Sequence, residues 1–397
     1  MGVQNDEKAF FGNGFGGSML MTAMVGCGGD NAAQNDGNTG NGATGDTIKI
    51  GGLAPLTGDV SVYGVAVDNG IKLAVEEINA DGGILGKQID YIVYDEKGDA
   101  TEAVNAYNKL VQSDKVVAVI GDVTSKPTLA VAQQAAKDKI PMITATGTAE
   151  NITETGDNIF RACFIDPFQG ELMASYASKK LEKKTAAIIY NISDDYSKGL
   201  YEAFEAASKD LGIEVVQVEG YGKGTVDFKA QLTNIKSKNP DVIFLPVYYQ
   251  DVALIAVQAK ELGIEAQFLG ADGWDGVTGQ VDASNMDAVN GAYFCSQYSA
   301  QSDDPNMQAF LEKYKETYGM DASQFSVLGY DAMKMLAQAI TEAGSTDSAA
   351  VTEALAGIDF TGLTGHMTFD ENRNPVKSAA ITQIENGEYQ FIEFYEK

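Results

Sequence analysis

The sequence is poor in the residues that most enzymes and nucleic-acid-binding proteins depend on. Its 397 residues contain one histidine, one tryptophan, three cysteines and eight prolines. Every Ser-His-Asp, Cys-His or His-Glu-x-x-His scheme would have to use His366. That residue sits in Gly365-His366-Met367-Thr368-Phe369, which reads as a late strand with no triad partner motif nearby. Cys27, Cys163 and Cys295 form no Cys-x-x-Cys, so a structural zinc site or thioredoxin-type motif has no support. A P-loop and a Gly-x-Ser-x-Gly elbow are missing as well. Positive charge is scarce: 28 Lys and Arg stand against 56 Asp and Glu, a formal net charge of -28. Phosphate backbones need basic patches, so a nucleic-acid partner is excluded.

Two Gly-x-Gly-x-x-Gly matches, from Gly12 and from Gly40, follow no strand and open no helix. They lack the context that gives the pattern meaning, and no cofactor is expected. Asp370-x-Asn372-x-Asn374 resembles the start of a calcium loop. Pro375 stands where glycine is needed and no ligand glutamate follows, so the segment reads as a turn and no metal site is expected.

What is present is a 44% hydrophobic, ordinarily charged α/β composition, long enough for more than one domain. Ser18 to Gly26 is a short apolar run closing on small residues before Cys27. It is too short to span a bilayer and reads as a secretory signal. The residues ahead of it lack a basic leader, Lys8 standing alone against Asp6 and Glu7. Residues 28–46 are a Gly/Asn/Asp tether.

From Thr47 the pattern alternates strand and helix, which implies doubly wound parallel sheets. The organising stretch is residues 116–153. Val116 to Ile120 is a β-branched strand ending at Gly121, and Ser125 with Pro127 opens a helix, Ser125 as its cap. Ile140 to Thr144 forms the next strand. Hydroxyls gather just past both strand ends: Thr124 and Ser125, then Thr144, Thr146 and Thr148. Ligands of open parallel sheets bind at such carboxyl ends, where helix N-termini offer unpaired N–H groups. The alternation restarts after Phe160 to Pro167. Asn386-Gly387 between AAITQIE and YQFIEF marks a closing hairpin.

The segments LAPLTGDVSVYG, INADGGILGKQI, VIGDVTSKPT, IPMITATGTAENIT, DDYSKGL and FLGADGWDG resemble, in order, those of type I periplasmic solute-binding proteins of ABC transporters, in the branched-chain amino acid group. The resemblance covers nearly everything after the tether. It implies two α/β lobes joined by three hinge crossings, near Asp166, Asn290 and Ala380, with one lobe at 47–166 plus 291–380 and the other at 167–290 plus 381–397. It also implies one amino acid in the cleft, handed to a membrane permease, and no enzymatic activity. Ser125 and Thr148 are expected to donate to the ligand carboxylate. Thr146, in place of the usual small residue, is expected to offer its carbonyl to the ammonium, and Asp272 to pair with it. Tyr63, Tyr196 and Tyr248 align with aromatic cleft positions. Val25-Gly26-Cys27 resembles a lipobox, making Cys27 the lipid-anchored residue of an extracytoplasmic protein. Cys163 and Cys295 fall in two crossing strands and read as buried thiols that could be neighbours. Related proteins take other amino acids, amides, urea or aromatic acids, and a DNA-binding regulator shares the fold, but no helix-turn-helix precedes Thr47.

Overall fold

The computed structural model describes residues 47–396, so the signal, Cys27 and the tether lie outside the described residues. The chain opens with β1 (Ile48–Ala54), α1 (Ser61–Ala80), β2 (Ile89–Asp95), α2 (Ala100–Lys109), β3 (Ala118–Ile120), α3 (Ser125–Asp138), β4 (Met142–Thr144), α4 (Asn151–Glu154) and β5 (Ile159–Arg161). These strands pair in the order β2-β1-β3-β4-β5, all parallel. Sheathing helices cover both faces, so the central strand is apolar throughout: Ala118, Val119 and Ile120 are at most 1% exposed. Burying each Val or Ile contributes about 1.5–3 kcal/mol. Asp99 sets the start of α2, its carboxylate accepting from the Thr101 and Glu102 amides at 2.8 and 3.1 Å.

A second run follows: α5 (Asp166–Lys179), β6 (Thr185–Asn191), α6 (Asp195–Asp210), β7 (Glu214–Tyr221), α7 (Lys229–Lys238), β8 (Val242–Phe244), α8 (Tyr249–Glu261), β9 (Gln267–Gly270) and β10 (Tyr293–Ser296). The chain then builds α9 (Pro305–Tyr318), α10 (Gln324–Ala343), α11 (Ser348–Ala356) and the small hairpin β11 (Phe360–Gly362) and β12 (Gly365–Met367), before closing with β13 (Ala379–Glu385) and β14 (Glu388–Tyr395). The second sheet orders as β14-β13-β10-β9-β8-β6-β7. It is parallel from β10 to β7, and β13 and β14 add an antiparallel edge. Asn386 and Gly387 turn that hairpin with φ of 53° and 82°, the left-handed pair such a two-residue loop requires.

The crossings lie after β5, after β10 and before β13. Residues 291–296, assigned above to the first lobe, therefore sit in the second sheet, because β10 pairs with β9 and β13. Ala379 and Ala380 do likewise. The physical reason is pairing: β10 satisfies its backbone on two neighbours of the second sheet, and the chain leaves only afterwards.

The helices α9, α10 and α11 return to the first lobe, where α10 packs along α1. Glycines let the two backbones touch. A Cβ at Gly70 would overlap the Ser326 carbonyl, and one at Gly329 would overlap the Val67 carbonyl. This contact carries the start of α10 to the cleft.

Candidate functional site

Where the carboxyl ends of the two sheets face each other, the chain closes on a narrow space with a cavity volume of about 10 Å³, close to what one water needs. Ser125, Thr146, Thr148, Asp272, Tyr63, Tyr196 and Tyr248 all line it, joined by Val123, Thr124, Gly273 and Phe325.

The first-lobe side is a ledge of hydroxyls. Ser125 begins α3, but it does not cap that helix as the sequence reading held. Its Oγ accepts instead from the Ala149 amide at 3.1 Å, tying the α3 start to the loop after β4. Because that bond uses an oxygen lone pair, the Ser125 hydroxyl proton stays free to donate. Thr146 Oγ1 donates to the Val123 carbonyl at 2.7 Å. Thr144 does not line the space. Its hydroxyl donates to the Asp122 carbonyl and accepts from the Gly147 amide, at 2.7 and 2.8 Å, so it holds the two loops together. Thr148 hydrogen-bonds the buried Asp166 carboxyl with its hydroxyl, and its carbonyl accepts from the Asp166 amide at 3.0 Å.

Asp272 faces the ledge from the second lobe. Each of its polar groups is held. Its amide donates to Gln169 Oε1 at 3.0 Å, its carbonyl accepts from Gln324 Nε2 at 2.9 Å, and Tyr196 donates to its carboxylate at 2.8 Å. Burial pushes the carboxyl up to about 6, against the hydrogen bonds that favour its ionised form. No Lys, Arg or His lines the space, so a buried carboxylate stands there without a protein cation.

Aromatic rings fill the rest. Tyr63 stacks on Phe325 with centroids 4.0 Å apart, and Tyr196 stacks on Tyr248 at 4.7 Å. Tyr63 donates to the Gly273 carbonyl and accepts from the Tyr249 amide at 3.2 Å, which joins α1 to the second lobe. The Tyr248 hydroxyl is buried with no partner among the described residues.

Comparison with known proteins gives this arrangement its setting. The family model described as periplasmic binding protein matches residues 47–388. The chain belongs to the periplasmic binding protein family. A leucine-, isoleucine-, valine-, threonine- and alanine-binding protein of Pseudomonas aeruginosa is 31% identical over 82% of this chain and 86% of its own length. A Leu/Ile/Val-binding protein of Rhizobium johnstonii is 35% identical over 82% and 88%. Among solved structures, the branched-chain amino acid transporter substrate-binding protein of Streptococcus pneumoniae, in complex with isoleucine, matches with a TM-score of 0.82. It is 34% identical, over 87% of this chain and 99% of that one. A benzoate-bound solute-binding protein of Rhodopseudomonas palustris, at 23% identity and a TM-score of 0.80, shares the fold. The periplasmic binding protein is thus a solute-binding protein of the branched-chain amino acid group. It is a binding protein and not an enzyme, and its family works outside the cytoplasm.

Other sequence expectations find their places away from the cleft. His366 is exposed beside Asp359 at 2.8 Å. Asp370 accepts from the Asn372 and Asn374 amides at 2.8 and 2.9 Å, a turn held by its own carboxylate. Cys163 and Cys295 are free, buried thiols, directed to the Gly147 carbonyl and to Gln169 Oε1. Gln169, Gln324 and Phe325 escaped the sequence reading. Two of them open α10, more than fifty residues beyond Asp272, and nothing in their local spacing sets them apart from ordinary helix-start residues.

Proposed function

We propose that this protein captures an α-amino acid, with Leu, Ile and Val as first candidates, and delivers it to an ABC transporter permease from a lipid anchor at Cys27. The carrying observation is the split of chemistry across the enclosed space: proton donors on the first lobe and an unpaired buried carboxylate on the second. An amino acid zwitterion carries the complementary pair. Ser125 through its hydroxyl and Thr148 through its backbone amide donate to its carboxylate, at the N-terminus of α3 where the helix dipole adds positive potential. The Thr146 carbonyl and the Asp272 carboxylate receive its ammonium. Tyr63, Tyr196, Tyr248 and Phe325 enclose the side chain. Because the carboxylate's donors lie on the first lobe and the ammonium's charged partner, Asp272, on the second, a ligand that bridges them favours the closed arrangement over the open one.

Thr124 and Thr146 on the wall favour a second reading within the same role, a small or polar side chain such as that of threonine. The Pseudomonas aeruginosa relative is named for threonine and alanine besides the branched-chain residues. A thermal-shift screen against the standard amino acids, urea and benzoate separates the readings. A ligand at 100 times its dissociation constant adds about 2.7 kcal/mol of stability. Shifts with Leu, Ile or Val support the branched-chain reading, and shifts with Thr or Ala alone the polar one. A shift only with urea or benzoate overturns both. Mass spectrometry of the protein purified from membranes tests the anchor: a diacylglyceryl adduct on Cys27 is expected, and an unmodified cysteine contradicts it.

A further inference from the structure

A line of hydrogen bonds runs from the hinge to the back of Asp272. In the first crossing, the Phe164 amide donates to Gln297 Oε1 at 3.0 Å. In the second, the Gln297 amide donates to Gln324 Oε1 at 3.2 Å. Gln324 Nε2 then donates to the Asp272 carbonyl at 2.9 Å, and the Gln324 amide donates to Asp275 Oδ2 at 3.1 Å. Gln324 is 1% exposed and Gln297 5%. With an amide donor on one side and a carbonyl on the other, the orientation of the Gln324 side chain is fixed by its partners.

The placement of Gln324 is what gives this line a meaning. It opens α10, which belongs to the first lobe through its packing along α1. Asp272 and Asp275 follow β9 in the second lobe. Gln324 therefore reaches the second lobe only while the lobes are together. The other bonds to Asp272, from Gln169 and Tyr196, come from α5 and α6 of its own lobe and persist however the lobes stand. We infer that Gln324 is a positioning residue that makes the aim of Asp272 depend on closure: it completes the support of the binding loop in the closed form and withdraws it in the open form. Gln297 fastens Gln324 to two of the crossings, so hinge geometry and binding-loop geometry change together. The inference rests on the amino-acid reading above and adds a residue that touches no ligand.

The test is ligand dissociation from Gln324→Met, which keeps length and apolar volume and removes both amide bonds. Trp274, buried two residues from Asp272 and bonded to the Leu245 carbonyl, is the sole tryptophan and reports the loop by fluorescence. With L-leucine, L-isoleucine, L-valine and L-threonine as probes in stopped flow, the off-rate should rise about tenfold, since the closed form now holds an unsatisfied buried carbonyl. The on-rate should stay at the wild-type value, and the ligand-free chain should melt only slightly lower, since its closed population loses the Gln324 bond. A merely structural role would lower the melting temperature and leave the off-rate alone. Gln297→Met should move the off-rate the same way but less. Should Gln324→Met fail to fold, Gln324→Asn, which keeps an amide one methylene short of the Asp272 carbonyl, gives the same reading. An unchanged off-rate overturns the inference. If the wild-type chain binds none of the probes, the functional reading fails separately. The coupling is then read by small-angle scattering of the ligand-free proteins: a larger radius for the variant supports it, and equal radii overturn it.

Discussion

Asp272 is the one carboxylate on the wall of the enclosed space, and its environment makes two expectations concrete. Asp272→Asn keeps the shape and removes the charge that a ligand ammonium needs. Amino acid affinity should fall at least tenfold in a calorimetric titration, with little change in the melting temperature of the empty protein. Ser125→Ala should cost less, because helix amides remain to meet the carboxylate. The second expectation concerns pH. Burial raises the Asp272 carboxyl to about 6 from an unfolded value near 3.9. A carboxyl raised in this way favours the folded form while neutral; that contribution is complete below pH ~4 and lost as pH rises through about 6. A bound ammonium reverses the preference. Ligand-induced thermal shifts should therefore be largest above pH 6 and shrink as pH falls below it, and a flat profile between pH 5 and 8 would contradict the pairing.

Elements place these residues, and their contacts are testable in turn. At the ends of β2 and β3, Glu96 and Asp122 are fully buried side by side; burial raises both, Glu96 to about 7, the Glu96 charge raises Asp122 further, and the contact with Asp122 partly offsets the rise at Glu96. Two such carboxyls hold one proton between them. Their contribution is present at low pH and lost as pH rises through about 7, by the same sign as for Asp272. Glu96→Gln should leave the melting temperature unchanged near pH 5 and raise it at pH 8; a loss at both values would contradict a shared proton. Gly70→Ala should push α10 off α1, lowering stability and slackening the pocket at Phe325, since the added Cβ meets the Ser326 backbone.

The sequence made the hydroxyl ledge legible because both loops follow short β-branched strands whose C-termini can be read directly. Ser125 lines the space, but its hydroxyl meets the Ala149 amide rather than the helix start. A serine before a helix is an ordinary cap, and the amide of Ala149 reaches it only through the fold. The same limit applies to β10: alternation shows a strand near 292–297, whereas the sheet it joins depends on pairing that no local pattern encodes. Gln169 and Gln324 were invisible for a related reason, being neutral residues whose role comes wholly from which loop they meet.

At the scale of the whole molecule, two sheets with facing carboxyl ends and three crossings bring hydroxyls and a buried carboxylate to opposite sides of one small space. Cross-cleft bonds from Tyr63, Tyr249 and Gln324 hold those sides together: Tyr249 donates to the Asp59 carbonyl at 2.7 Å, and Tyr63 and Gln324 meet the residues around Asp272. Each such bond contributes about 0.5–1.5 kcal/mol net, comparable in size to a tenfold change in affinity. Ligand affinity is thus shared between the ligand's own contacts and the lobes' contacts with each other. The most direct measurement is a calorimetric titration of L-leucine, L-isoleucine and L-valine into the chain and into Asp272→Asn at pH 8. Saturable binding of one amino acid per chain, lost in the variant, is the predicted result. Absence of binding by all three, or equal affinity in the two proteins, would contradict the assignment of the pocket.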